Sequence, residues 1–130
     1  MTGGSRTVRV ALVDDAPEVL RFMELYLARN DRVEIVGAAS NGRDGLTLVD
    51  ELKPDVLLLD LSMPEMDGLE VLRELQARKT NGLKTIVVSG LDREDLEATC
   101  LELGAARYLE KGEGFAQLPD VVLEVDAEAA

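Results

Sequence analysis

Short apolar-rich runs recur along this chain: Val8 to Val13, Val33 to Ala39, Val56 to Leu59, Thr85 to Ser89 and Ala106 to Leu109. Runs of this length, with little polar alternation, predict strands buried on both faces of a parallel sheet. Between them, apolar residues return at helical spacing. Leu20, Met23 and Leu27, with neighbouring Leu25, mark a first helix. Leu46, Val49 and Leu52 mark a second, and Leu69, Leu72 and Leu75 a third. Leu96, Cys100 and Leu103 mark a fourth, and Val121, Val122 and Val125 a fifth.

The boundaries carry their own signals. Pro17 fits a first helical turn, where its missing N–H does no harm, and Asn30-Asp31 stops that helix. Asn41-Gly42 opens the second helix and Pro54 closes it. Pro64 biases Met63 toward extended geometry. Asp67 is an N-cap for a helix opened by Gly68. Thr80-Asn81-Gly82 reads as a loop. Asp92, with Asp95 three residues on, caps the fourth helix, and Gly104 ends it. Pro119 reads as a first-turn residue of the last helix. Five strands alternating with five helices predict an α/β fold with one parallel sheet. Right-handed crossovers place helices on both faces, making three layers.

Composition narrows the class. The 130 residues suit one domain. Residues 8–130 are expected to form it without an output domain, with residues 1–7 as a flexible polar lead-in. A net charge of −12 repels nucleic acid and anionic membrane and suits cationic partners. With no histidine, His-based acid–base catalysis and His metal ligands are excluded. One cysteine, Cys100, allows no internal disulfide and reads as a core residue in a reducing, cytoplasmic setting. No stretch nears the ~18 apolar residues of a membrane span.

The strand ends carry the chemistry. Strand one ends in Asp14-Asp15, strand three in Asp60, strand four in Ser89, and strand five is followed by Lys111. In a doubly wound sheet these ends share one edge, where ligands collect. Three close carboxylates resist ionising together. A hard divalent cation relieves the repulsion, and Mg²⁺ fits best because it takes few protein carboxylates and keeps water for a phosphate. With Lys111 the formal charges then sum to zero. A carboxylate can attack phosphorus to form an aspartyl-phosphate. Such transfer needs cations on the equatorial oxygens.

Asp14-Asp15, the D-x-x-M-P-x-M-D-G run at 60–68, Ser89-Gly90 and the Y-x-x-K at 108–111 resemble the receiver domain of two-component response regulators. The resemblance spans residues 7–126. It implies a flavodoxin-like (βα)5 fold with strand order 2-1-3-4-5. It implies that Asp60 accepts a phosphoryl group from a histidine kinase or histidine phosphotransfer protein. Asp15 and Asp14 would hold Mg²⁺, or Mn²⁺ in its place, with Asp60 and the Ser62 backbone carbonyl. Lys111 would pair with the phosphoryl oxygens. Ser89 would move toward the phosphate and Tyr108 inward behind it. That shift would remodel the fourth helix, fifth strand and fifth helix, where a downstream protein would bind. The chain would act as a phosphorelay switch and catalyse only its own phosphorylation and dephosphorylation. The family often has proline after the lysine; here Gly112 follows Lys111. No Lys or Arg follows Lys111, which argues against dimers zipped along the last helix by Arg–Asp pairs. Glu124, Asp126 and Glu128 crowd the C-terminal end of that helix against its dipole, which predicts fraying.

Two other classes share these features in part. An aspartate-nucleophile phosphatase would use the same acids, but Leu61-Ser62 follows Asp60, with no second acid two residues on. A flavodoxin-like FMN carrier would share the topology, but aromatics are only 3% and no Ser/Thr-rich loop follows strand one. Turnover of a phosphate ester, or a yellow purified protein, separates these readings.

Overall fold

A computed structural model describes residues 6–78 and 82–128. Its elements, in chain order, are β1 (Val8–Val13), α1 (Pro17–Leu27), β2 (Val33–Ala39), α2 (Gly42–Leu52), β3 (Val56–Leu59), α3 (Gly68–Arg78), β4 (Lys84–Ser89), α4 (Arg93–Glu102), β5 (Arg107–Glu110) and α5 (Glu113–Glu128). The strands form one sheet in the order β2-β1-β3-β4-β5, and every neighbouring pair is parallel. This is the order that the sequence resemblance implies.

Strand alternation divides the apolar residues between two cores. Ala11, Val13, Leu57, Leu59 and Val87 face α2, α3 and α4, meeting Leu46, Val49, Val71, Leu72, Leu75 and Cys100. Val8, Val10, Leu12, Leu58, Ile86 and Val88 face α1 and α5, meeting Met23, Leu27, Leu118, Val122 and Val125. All four residues of β3 are fully buried, so the central strand is covered on both sides.

Local signals explain most boundaries. Pro17 sits in the first turn of α1. The Asn41 side chain accepts the Asp44 N–H at 2.8 Å and caps α2. Asp67 and Glu70 cap α3 reciprocally: Asp67 Oδ1 accepts the Glu70 N–H at 3.0 Å, and Glu70 Oε1 accepts the Asp67 N–H at 3.4 Å.

Four expectations need correction. Pro119 lies inside α5, which begins at Glu113. Gly112, at φ 90°, turns the chain directly after Lys111. The helix then runs through Pro119, giving up the bond to the Phe115 carbonyl, while Leu118 and Pro119 are buried. Asp92 occupies the N-cap of α4, but its side chain caps nothing. Leu25 lies on the outer side of α1 and is 60% exposed. The C-terminal end of α5 stays helical to Glu128, because Arg6 pairs with Asp126 at 2.6 Å and Arg107 with Glu128. Strands β4 and β5 are each offset by one residue from their expected starts. Of the expected Thr80-Asn81-Gly82 loop, residues 80 and 81 lie outside the described residues, as do residues 1–5 of the lead-in.

Candidate functional site

Parallel strands carry their terminal residues to one rim, and ladder bonds fix them there. The Asp14 N–H donates to the Ala39 carbonyl (3.1 Å), the Asp60 N–H to the Val13 carbonyl (2.9 Å) and the Lys111 N–H to the Ser89 carbonyl (2.8 Å). Beyond β3 the chain folds back hard on itself. The Gly68 N–H donates to the Leu61 carbonyl at 2.9 Å. A Cβ on Gly68 would stand 2.3 Å from the Asp60 carbonyl oxygen and 2.7 Å from the Leu61 Cα. Only glycine permits this approach, and the approach holds the Asp60 backbone in place.

The rim brings the three acids together. Asp14, Asp15 and Asp60 each offer a carboxylate oxygen, and these lie within 4.8 Å of one another. Asp14 and Asp60 are buried; Asp15 is exposed. The Lys111 ammonium bridges the two buried acids, 2.9 Å from Asp14 Oδ2 and 3.1 Å from Asp60 Oδ1. Those two buried oxygens meet no other polar partner among the described residues. Asp14 Oδ1 accepts the Ala16 N–H at 2.9 Å, which turns the carboxylate inward.

Charge and burial oppose each other here. Burial pushes the Asp60 carboxyl above its ordinary value, and the Asp14 charge adds to that. Lys111 and the Ser62 backbone N–H pull the other way without reversing it. For Lys111, burial works against the ammonium, but Asp14 and Asp60 outweigh it and hold the group above its usual value. Three carboxylates against one ammonium leave an excess of two negative charges. The donor set is all hard oxygen, so a divalent cation fits both the charge and the ligand type.

Ser89 ends β4, where its carbonyl accepts the Lys111 N–H, and Tyr108 lies on the neighbouring β5. Ser89 is buried, and its hydroxyl accepts the Leu91 N–H at 3.0 Å. Tyr108 is 2% exposed, and its hydroxyl donates to the Leu91 carbonyl at 2.8 Å. Burial holds the phenol above its ordinary value, against the pull of the neighbouring Ser89 hydroxyl. The ring thus already lies inward. Ser62 is exposed in the β3–α3 loop, two residues past Asp60. The role of Leu91 was not legible in the sequence, because it acts through its backbone. Nor was Arg93 marked; its guanidinium donates to the Tyr108 carbonyl at 3.0 Å on the open edge of β5.

Residues 10–123 match the response regulator receiver domain family. The chain belongs to that family. The signal receiver domain of NarL from Mycobacterium tuberculosis is 30% identical, with a TM-score of 0.87 over 94% of this chain and 98% of that one. The response regulator domain of Thermotoga maritima CheB is 28% identical, with a TM-score of 0.81 over 95% and 96%. Among curated proteins, a protein-glutamate methylesterase/protein-glutamine glutaminase of Bacillus licheniformis is 36% identical over 82% of this chain and 30% of its own length. Response regulator GacA of Pseudomonas viridiflava is 36% identical over 88% of this chain and 53% of its own length. The receiver chain thus spans about a third to a half of the curated relatives it matches. No described helix is long and apolar enough to cross a membrane.

Proposed function

We propose that this receiver is switched by phosphorylation of Asp60, taking the phosphoryl group from a phosphohistidine on a histidine kinase or histidine phosphotransfer protein. The observation that carries the reading is the Lys111 ammonium spanning two buried acids at a rim lined by a third. In the transfer, an Asp60 carboxylate oxygen forms a bond to phosphorus while the histidine N–P bond breaks, its electron pair leaving with the imidazole. Asp14, Asp15 and Asp60, with the Ser62 carbonyl, would hold Mg²⁺. When bound, the ion supplies positive charge to the phosphoryl oxygens. Lys111 supplies the second cation and needs only a small displacement to leave Asp60 for a phosphoryl oxygen.

The Ser89 hydroxyl, which accepts the Leu91 N–H, then turns to donate to a phosphoryl oxygen. Tyr108 holds the same loop through the Leu91 carbonyl. Reordering that loop alters the face made by α4, β5 and α5, where a downstream protein docks. The chain transforms no external substrate; it promotes its own phosphorylation and hydrolysis, in the cytoplasm. Incubation with acetyl phosphate and Mg²⁺ tests this. A single-phosphoryl mass increase mapping to Asp60, lost in Asp60→Asn, is expected. An unmodified Asp60 after full incubation overturns the reading.

A further inference from the structure

The segment from Ser89 to Arg93 is held to β5 through its backbone. The Leu91 N–H donates to the Ser89 hydroxyl at 3.0 Å, and the Leu91 carbonyl accepts the Tyr108 hydroxyl at 2.8 Å. The Leu91 side chain is 43% exposed, so these bonds rather than packing fix the residue. Two residues on, the Arg93 guanidinium donates to the Tyr108 carbonyl at 3.0 Å. Its Nε lies 4.0 Å from Glu110 Oε1. Tyr108 is therefore gripped at both ends: its hydroxyl holds Leu91, and its carbonyl is held by Arg93.

Helix α4 gives little reason of its own for a base at this position. Arg93 is its first residue and its only base, beside Glu94, Asp95, Glu97 and Glu102. A cation at a helix N-terminus opposes the macrodipole. The helix is also weakly anchored. Asp92 makes no side-chain cap, and of the described residues in α4 only Cys100 is buried. At the far end, Gln76 Nε2 donates to the Glu102 carbonyl at 3.4 Å. Beside that contact lies a cavity of about 160 Å³ lined in part by Leu75, Thr85 and Leu103. The helix thus has room to shift, and Arg93 ties its first turn to β5.

We propose that Arg93 is a positioning residue that clamps the β4–α4 loop to β5 and holds the receiver in its unphosphorylated arrangement. In the phosphorylation reading on which this rests, Ser89 turns toward a phosphoryl group and the Leu91 N–H loses its acceptor. Among the described residues that N–H meets no other. A backbone N–H left without a partner is costly unless water reaches it. Reaching water requires the loop to lift, and Arg93 opposes the lift through the Tyr108 carbonyl. The clamp therefore adds to the cost of moving Ser89 and slows the switch without touching Asp60.

Amide hydrogen exchange of the full chain, read by NMR in EDTA, tests the clamp without a phosphodonor. Arg93→Ala is expected to speed exchange at Leu91 by about tenfold and to leave Leu12 and Leu58 in the sheet within about threefold. The second arm is the initial rate at which acetyl phosphate with Mg²⁺ labels Asp60. Arg93→Ala is expected to raise that rate by about three- to tenfold. Arg93→Lys keeps a cation that can donate to the Tyr108 carbonyl and should stay within about threefold of the wild type in both arms. A merely structural role would instead speed exchange throughout the sheet and slow labelling. Unchanged exchange at Leu91 overturns the proposal. So does faster exchange at Leu91 with labelling at the wild-type rate or below. A wild type that takes no label removes the phosphorylation reading instead, and the exchange arm alone then decides whether Arg93 clamps the loop.

Discussion

Replacing Asp60 with asparagine removes one charge from the acidic cluster and keeps the side-chain shape. On a scale with an effective dielectric of about 20, a carboxylate neighbour at 4.8 Å, the outer limit of the oxygen spacing here, costs about 3.5 kcal/mol. Asp14 imposes that cost in full; the exposed Asp15 imposes about half of it, because water and salt screen it. The Lys111 ammonium, at 3.1 Å, returns about 5 kcal/mol on the same scale. The charge terms nearly cancel, so burial decides the outcome, and burial is the leading cause of the raised Asp60 carboxyl. Asp60→Asn is therefore expected to stabilise the metal-free protein at neutral pH by about 1–2 kcal/mol. For a chain of this size that is a melting temperature higher by about 3–8 °C. The assay is thermal unfolding by circular dichroism in EDTA at low ionic strength. A carboxyl raised in the folded state favours folding where it is protonated and loses that contribution as pH climbs through its folded value. The advantage of the variant should thus vanish in acid and appear toward neutral pH. Adding Mg²⁺ should narrow it, because the wild type gains a ligand. An equal or lower melting temperature for the variant at pH 7 in EDTA would show that the acids are not crowded.

Other substitutions test the remaining parts. Lys111→Met leaves the buried Asp14 and Asp60 without their ammonium and should cost about 3–5 kcal/mol in EDTA, read by urea unfolding; Mg²⁺ should recover part of it. Gly68→Ala drives a methyl group into the Asp60 carbonyl and should cost at least about 2 kcal/mol. It should also slow acetyl-phosphate labelling of Asp60, whereas labelling at the wild-type rate would mean the loop yields freely. Gly112→Pro restores the residue common in the family, yet Gly112 has φ 90° and proline is fixed near −65°. A loss of more than about 1 kcal/mol is expected, and an unchanged melting temperature would mean that this turn is readily rebuilt.

Most of the fold was legible because burial on both faces leaves the strands with unbroken apolar runs, as in Val56 to Leu59. The cluster was legible because parallel strands deliver their last residues to one edge. Asp14, Asp15, Asp60 and Lys111 therefore meet although they are far apart in the chain. What escaped was tertiary. Pro119 reads locally as a helix start, and only the burial around it admits it within α5. Leu25 fits a helical stripe as well as Leu27 does, and neighbouring elements decide which of the two is covered. Asp92 has the residue type of a cap, but its side chain does not reach the helix N–H groups. Arg6 lies in a polar lead-in and acquires partners only when α5 brings Asp126 beside it.

That last contact fixes where the chain emerges. Arg6 spans Asp55, just before β3, and Asp126, near the end of α5. Both ends of the described chain thus leave from the sheet edge opposite the acids. A fluorophore placed on the described chain beside Arg6 or Asp126 would stand about a strand length from Asp60, and immobilisation at that edge would present the reactive rim outward.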